Sequence, residues 1–197
     1  TGLMSYRTKL FEALPLAGVY FHMRNWQDFN DQVNRLQEVQ VIESMRDLWW
    51  DARPNPEFGT LEIRICDLPI RFTDLLGLTA VIQALVATLA EDDVACSPLD
   101  PYIVQANKWQ AARHGLNGAY VDPTKMLANG RITYYHAVDA MLKYIKPMGI
   151  RLGVEKYLGY IDRILAEGTG ADFLRQRYKE TNNLQDVVRS LQGEFWQ

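Results

Sequence analysis

The architecture turns on the run Trp49-Trp50-Asp51-Ala52-Arg53-Pro54-Asn55-Pro56-Glu57-Phe58-Gly59-Thr60-Leu61-Glu62-Ile63-Arg64-Ile65-Cys66-Asp67. Leu61, Ile63 and Ile65 alternate with Glu62, Arg64 and Cys66, the period of a half-buried strand. The spacing predicts a strand over Thr60–Asp67 that stops before Pro69. Its apolar positions should face a helix layer, with Glu62, Arg64 and Cys66 on the opposite face. The two prolines predict a rigid turn over Arg53–Pro56 that holds Arg53 at the rim of a site, and Gly59 admits an unusual φ. Alternation also predicts that one of Trp49 and Trp50 enters the core while the other turns toward a site or interface.

Outward from this run the chain reads as helical. Ser5–Glu12 is amphipathic and ends at Pro15, and Gly18-Val19-Tyr20-Phe21 reads as extended. Trp26, Phe29, Val33 and Leu36 give helical spacing over Trp26–Val39, with Asn25 as N-cap. Leu75–Leu89 is apolar almost all round and reads as a central buried helix capped by Asp74. Further helices are expected over Tyr102–His114, Tyr134–Ile145, Val154–Ala166 and Ala171–Leu191, divided by Gly and Pro. The pattern is α+β, a few antiparallel strands early and helices late, in one domain segment over residues 1–197. So few strands predict either more that the pattern hides or a sheet completed by other chain.

The 197 residues carry a net charge of −3, with 48% hydrophobic and 23% charged residues, an ordinary balance for a globular domain. That balance lacks the basic patch of a nucleic-acid binder and the polybasic signal of a membrane-surface protein. The longest apolar stretch, Leu75–Ala90, is interrupted by Gly77, Thr79, Gln83 and Thr88 and reads as too short and polar to cross a bilayer. Cys66 and Cys96 are the only cysteines, which excludes a disulfide framework and a Cys-rich zinc site. Thr1-Gly2-Leu3-Met4 lacks a basic start and an apolar core. These features predict a cytoplasmic location and, since residue 1 is not Met, a trimmed product or a piece of a longer chain.

Glu62 and Arg64 are the strongest candidates for chemistry. A carboxylate can hold a hard cation such as Mg²⁺, and a guanidinium grips phosphate or carboxylate oxygens with its planar fork. Side by side they suit phosphoryl transfer, which depends on positioning and charge neutralisation. An exposed cross-strand ion pair is the plainer reading of the same residues. Lys108 and Arg113 could each serve an anion, although they share no helix face and Arg113 suits a helix C-terminus. Gly168-Thr169-Gly170-Ala171-Asp172 reads as a helix cap, because Asp172 would repel phosphate. His22, His114 and His136 have no metal-ligand spacing, and Cys66 has no partnering base.

The run 49–67 resembles the signature of the bacterial carboxylate–amine ligases of the glutamate–cysteine ligase type 2 family: Trp-Asp-x-Arg-Pro, Phe-Gly-Thr, then Glu-x-Arg-x-x-Asp. Ser5-Tyr6-Arg7, Asn107-Lys108-Trp109 through Arg113-His114-Gly115, and Gly168–Asp172 with Arg175-Gln176 resemble the same family in the same order. The resemblance implies part of a glutamine-synthetase-like catalytic domain, a curved antiparallel sheet backed by helices that binds ATP and Mg²⁺. It implies ATP-dependent amide formation through an acyl phosphate, from a glutamate-like carboxylate and an amine such as that of cysteine, with weak glutamate–cysteine ligase activity. By this resemblance Glu62 is a metal ligand and Arg64 contacts the transferring phosphate and the nucleotide. Arg7 holds a substrate carboxylate, and Arg53 contributes to nucleotide binding. The chemistry suits such residues: two like unit charges about 4 Å apart repel by roughly 4 kcal/mol at an effective dielectric near 20, and cations must cancel that.

The family's chains are much longer, and a Gly-x-Glu-x-Glu strand of their N-terminal half has no counterpart here. The chain is therefore expected to be a C-terminal half, inactive alone, that needs its N-terminal half or a symmetry mate to cover the sheet edge. The alternative reading is an interaction module derived from that fold.

Overall fold

Polar caps set most of the helix starts, as their positions in the sequence require. A computed structural model describes residues 2–20, 23–92 and 99–196. Phe21, His22 and Cys96, considered above, lie outside the described residues. Ser5 Oγ accepts from Thr8 N to begin α1 (Tyr6–Glu12), which leads to the short strand β1 (Ala17–Gly18). Asn25 caps α2 (Trp26–Glu38). A 3₁₀ turn, Met45–Asp47, precedes β2 (Trp49–Trp50), β3 (Ala52–Asn55) and β4 (Thr60–Ile63). Then follow α3 (Phe72–Glu91), α4 (Pro101–His114), β5 (Ala119–Val121) and β6 (Arg131–Thr133). The C-terminal helices are α5 (Tyr134–Arg151), α6 (Glu155–Leu158), α7 (Ile161–Glu167), α8 (Gly170–Thr181) and α9 (Leu184–Glu194).

The class is α+β, with the helices late as expected. The strands are arranged differently from a single antiparallel sheet. The described residues form three two-stranded ladders, β1–β2 parallel, β3–β4 antiparallel and β5–β6 antiparallel. The β1–β2 pair is two residues long, and β5–β6 is joined by a loop held by Asp122, so neither showed a readable period. Asp122 is buried. Burial opposes its charge, but hydrogen bonds from Thr124 and from the backbone of Leu127, Thr124 and Ala128 hold its carboxyl below the usual range.

Two clusters make the core. Phe29, Val33, Ile42, Leu48 and Trp50 pack α2 against β2. Ala80, Val81, Ala84, Ile145, Leu158 and Ile161 pack α3 against α5, α6 and α7. By length and composition α3 is apolar enough to cross a membrane, which corrects the expectation drawn from Leu75–Ala90; it is 20 residues long. Its inner face lies in the second cluster, while Leu75, Val86 and Leu89 are exposed, so burial is one-sided.

Other expectations are also corrected. Asp74 does not cap α3, since Arg71 holds that position without a side-chain bond. Asp74 is buried in the first turn and accepts from Arg163 Nη2 at 2.5 Å. Pro54 lies in β3, and the turn falls on residues 56–59, where Gly59 has φ +61°. Strand β4 ends at Ile63, although Arg64 N still donates to Asp51 O at 2.8 Å. Leu61 and Ile65 are exposed rather than turned into a helix layer, and the face of Glu62 and Arg64 is the more covered. Helix α5 runs through Pro147 to Arg151, carried by the buried Ile145, Met148 and Gly149. The stretch expected as one helix over 154–166 breaks between α6 and α7. The stretch expected over 171–191 breaks at Asn182, which is left-handed.

Gly77 is buried where α3 lies close against α6 and α7. A Cβ there would lie 3.0 Å from Ile161 Cδ1, 3.2 Å from Tyr160 Cβ and 3.4 Å from Tyr157 O. Gly77→Val is expected to lower stability by about 2 kcal/mol through overpacking, read as a lower urea midpoint with unchanged slope.

Candidate functional site

Strands β3 and β4 pair with Arg53 directly opposite Glu62. Opposite residues share a face, as do residues two apart on one strand, so Arg53, Glu62 and Arg64 meet. Arg53 Nη2 donates to Glu62 Oε2 at 2.6 Å, and Arg64 Nη1 donates to Glu62 Oε1 at 2.5 Å. The Arg53 hydrogen bond, joined by the charge of both guanidiniums, holds the Glu62 carboxyl below its ordinary value. It is therefore ionised at neutral pH.

Arg53 is not at a rim. It is 8% exposed, and its Nη1 donates to the carbonyls of Met45, Arg46 and Leu48 at 3.1, 2.9 and 3.0 Å. The strand conformation at Pro54 causes this: alternation aims Arg53 across the ladder and under the 3₁₀ turn. Its planar fork ties that turn to Glu62, which is a positioning task.

Arg64 is held from four sides. Its guanidinium carbon lies 4.6 Å from the Trp49 ring centroid, its N–H donates to Asp51 O, its carbonyl accepts from Arg7 Nη2 at 2.9 Å, and Glu62 takes one Nη. Trp49 is half-exposed while Trp50 is buried, as alternation predicts. Arg7 also donates to Ile65 O at 3.3 Å and stacks over Phe11 at 4.3 Å. Phe11 in turn lies 5.7 Å from Trp49. The structure thus brings Arg7, Arg53, Glu62 and Arg64 together and sets Arg7 against the backbone that carries Arg64. A guanidinium has five N–H donors, and only one from Arg64 is committed to a described residue. The remaining donors can take an anion.

A second network supports this arrangement and had no signal beyond its place in the motifs. Lys108 from α4 is buried, with Nζ 2.6 Å from Asp51 Oδ2 and 2.9 Å from Glu12 Oε1. Burial raises the Glu12 carboxyl, but hydrogen bonds from Lys9 and Lys108 outweigh it and hold the pKa below the usual value. Lys108 is thus committed internally, and Arg113 donates to Gly2 O, so the two do not share a site. Thr169 and Asp172 form a capping box, the plain reading of that glycine-rich loop. Cys66 is exposed, and partial desolvation pushes its thiol up, which disfavours a nucleophilic thiolate.

Among the described residues no three His, Cys, Asp or Glu side chains gather as a metal cage. Mg²⁺ takes one or two carboxylates along with phosphate oxygens and waters. Glu62 offers one such ligand, and two guanidiniums already offset its charge. The described residues therefore do not fit a complete Mg²⁺ site.

The family model of Glutamate-cysteine ligase family 2 matches residues 1–190, and the chain belongs to that family. A Gloeobacter violaceus protein named "Putative glutamate--cysteine ligase 2" is 37% identical over 196 residues, covering 98% of this chain and 52% of that protein. A Legionella pneumophila (strain Philadelphia 1) protein of the same name is 44% identical over 199 residues, covering 100% of this chain and 51% of that protein. The chain spans about half the length of the curated relatives it matches.

Arg53→Lys is expected to cost about 2 kcal/mol, read by urea denaturation, because a point charge cannot satisfy three carbonyls and a carboxylate together. Glu62 has a depressed folded pKa, so its stabilisation is complete above the unfolded value and is lost as pH falls through the folded one. The stability gap between the native chain and Glu62→Gln should therefore narrow as pH drops from about 7 to about 3. It should be modest throughout, since the Glu62 side chain is 38% exposed.

Proposed function

We propose that this chain is the C-terminal half of an ATP-dependent carboxylate–amine ligase. It joins a glutamate-like carboxylate to an amine such as that of cysteine, with weak glutamate–cysteine ligase activity, in the cytoplasm. The observation that carries the proposal is Arg64, fixed by Glu62, Trp49, Asp51 and Arg7 with most of its donors uncommitted, in a chain of this ligase family. ATP, when bound, supplies the phosphoryl group that activates the carboxylate as an acyl phosphate. Arg64 grips the phosphoryl oxygens and stabilises the charge that develops on them. Glu62 keeps the guanidinium aimed and offers one oxygen to a divalent cation whose other ligands come from outside this chain. Arg7 holds the Arg64 and Ile65 backbone and presents its remaining donors to the substrate carboxylate. Arg53 acts through Glu62. The N-terminal half of the same protein completes the site, and homo-oligomers are compatible with it. No covalent nucleophile is required.

The test uses the chain joined to its N-terminal half, with ADP release measured as a function of glutamate and cysteine. Arg64→Gln is expected to lower turnover about 100-fold or more, the scale seen when one charge-stabilising donor is removed. Arg53→Lys should act mainly through stability. Turnover unchanged in Arg64→Gln would overturn the proposal, and amine-independent binding without turnover would favour the interaction-module reading.

A further inference from the structure

The β5–β6 hairpin builds a second concave surface that the ligase reading leaves unused. An open cleft of about 760 Å³ lies between the end of α4, the turn Gly115–Asn117, strand β6 and the start of α5. Clefts of this size hold small metabolites. Its polar lining is Gln110, His114, Asn117, Arg131, Thr133 and His136. The whole chain carries −3, yet no residue lining this cleft is acidic.

The hydrogen-bonding balance is equally one-sided. Two of the acceptors that line the cleft are spent on backbone N–H groups: Gln110 Oε1 accepts from Ala119 N at 3.1 Å, and Thr133 Oγ1 accepts from His136 N at 3.4 Å. The donors are not spent. Arg131 is exposed and makes no ion pair or hydrogen bond with any described residue. The Asn117 amide and the Gln110 amide N–H are likewise uncommitted among the described residues. The His114 ring has an edge contact with Trp109, and the His136 ring meets Thr133 Oγ1 with Nδ1 and Tyr135 edge-on, which leaves Nε2 without a partner among the described residues. The C-terminal end of α4 and the N-terminal end of α5 both meet here and offset one another, so the preference comes from these side chains.

A surface with open donors, no carboxylate and an exposed guanidinium that pairs with no described residue selects a ligand rich in acceptor oxygens. The donors arrive from α4, the following turn, β6 and α5, which suits a tetrahedral anion with several oxygens better than a planar carboxylate. We propose that this cleft binds a phosphate-bearing small molecule at a site separate from Arg53, Glu62 and Arg64. The proposal stands on the cleft alone and does not require ligase turnover.

Calorimetric titration of the chain with inorganic phosphate, pyrophosphate and AMP tests it. Saturable binding of at least one probe is expected, weakened about tenfold or more by Arg131→Gln and also weakened by His136→Gln. Arg64→Gln should retain the binding, which separates this cleft from the proposed catalytic site. Binding of phosphate or pyrophosphate would identify the free anion as sufficient, and binding of AMP alone would identify an esterified ligand. The proposal is overturned if no probe binds, if Arg131→Gln binds as the native chain does, or if Arg64→Gln abolishes binding. Arg131 is exposed, so its variant should keep the native thermal midpoint, and a shifted midpoint with lost binding would be resolved by His136→Gln.

Discussion

Glu62 has a guanidinium on each carboxylate oxygen, and the geometry of the β2–β4 region follows from that clamp. Arg53 carries the constraint downward into the 3₁₀ turn, where one Nη meets three carbonyls. Arg64 carries it upward to Trp49 and, through its backbone, to Asp51 and Arg7. A single buried arginine would cost desolvation without return. Sharing one carboxylate lets the less exposed Arg53 and the more open Arg64 both keep a charged partner.

The clamp also connects distant parts of the chain. Asp51 receives Lys108 from α4, Lys108 reaches Glu12 on α1, and Arg7 of α1 returns to the Arg64 carbonyl. This closed circuit fixes α1 and α4 relative to the hairpin with polar contacts, while the two apolar clusters lie elsewhere. One packs α2 beneath Trp50, and the other gathers α3, α5, α6 and α7. A charged, partly covered hairpin tied to α1 and α4 by this circuit gives a site that is preorganised yet accessible.

Much of this was legible in advance where one local rule acted alone. Helix starts at Ser5 and Asn25 needed only a cap and a period, and the Thr169–Asp172 box needed only its spacing. Glu62 beside Arg64 needed only strand alternation. The failures arose where local rules competed. Two prolines read as a turn, but pairing with β4 made Arg53–Asn55 a strand and sent Arg53 inward. Apolar alternation put Leu61, Ile63 and Ile65 inside, but Leu61 and Ile65 are exposed and Ile63 is only half-buried. Helix breaks at Gly159-Tyr160 and Asn182 had no proline to announce them.

The sequence by itself determined the α+β class, the family, most helix starts and the shared face of Glu62 and Arg64, because each rests on spacing along the chain. Only the tertiary structure decided that Arg53 is a buried tie, that Lys108 bridges Asp51 and Glu12, and that an acid-free cleft opens beside the β5–β6 hairpin. Those features depend on residues brought together from separate segments, from Arg53 with Glu62 to Glu12 with Lys108. Whether a charge ends up buried, bridged or free is settled by the partners packing delivers, which spacing does not encode.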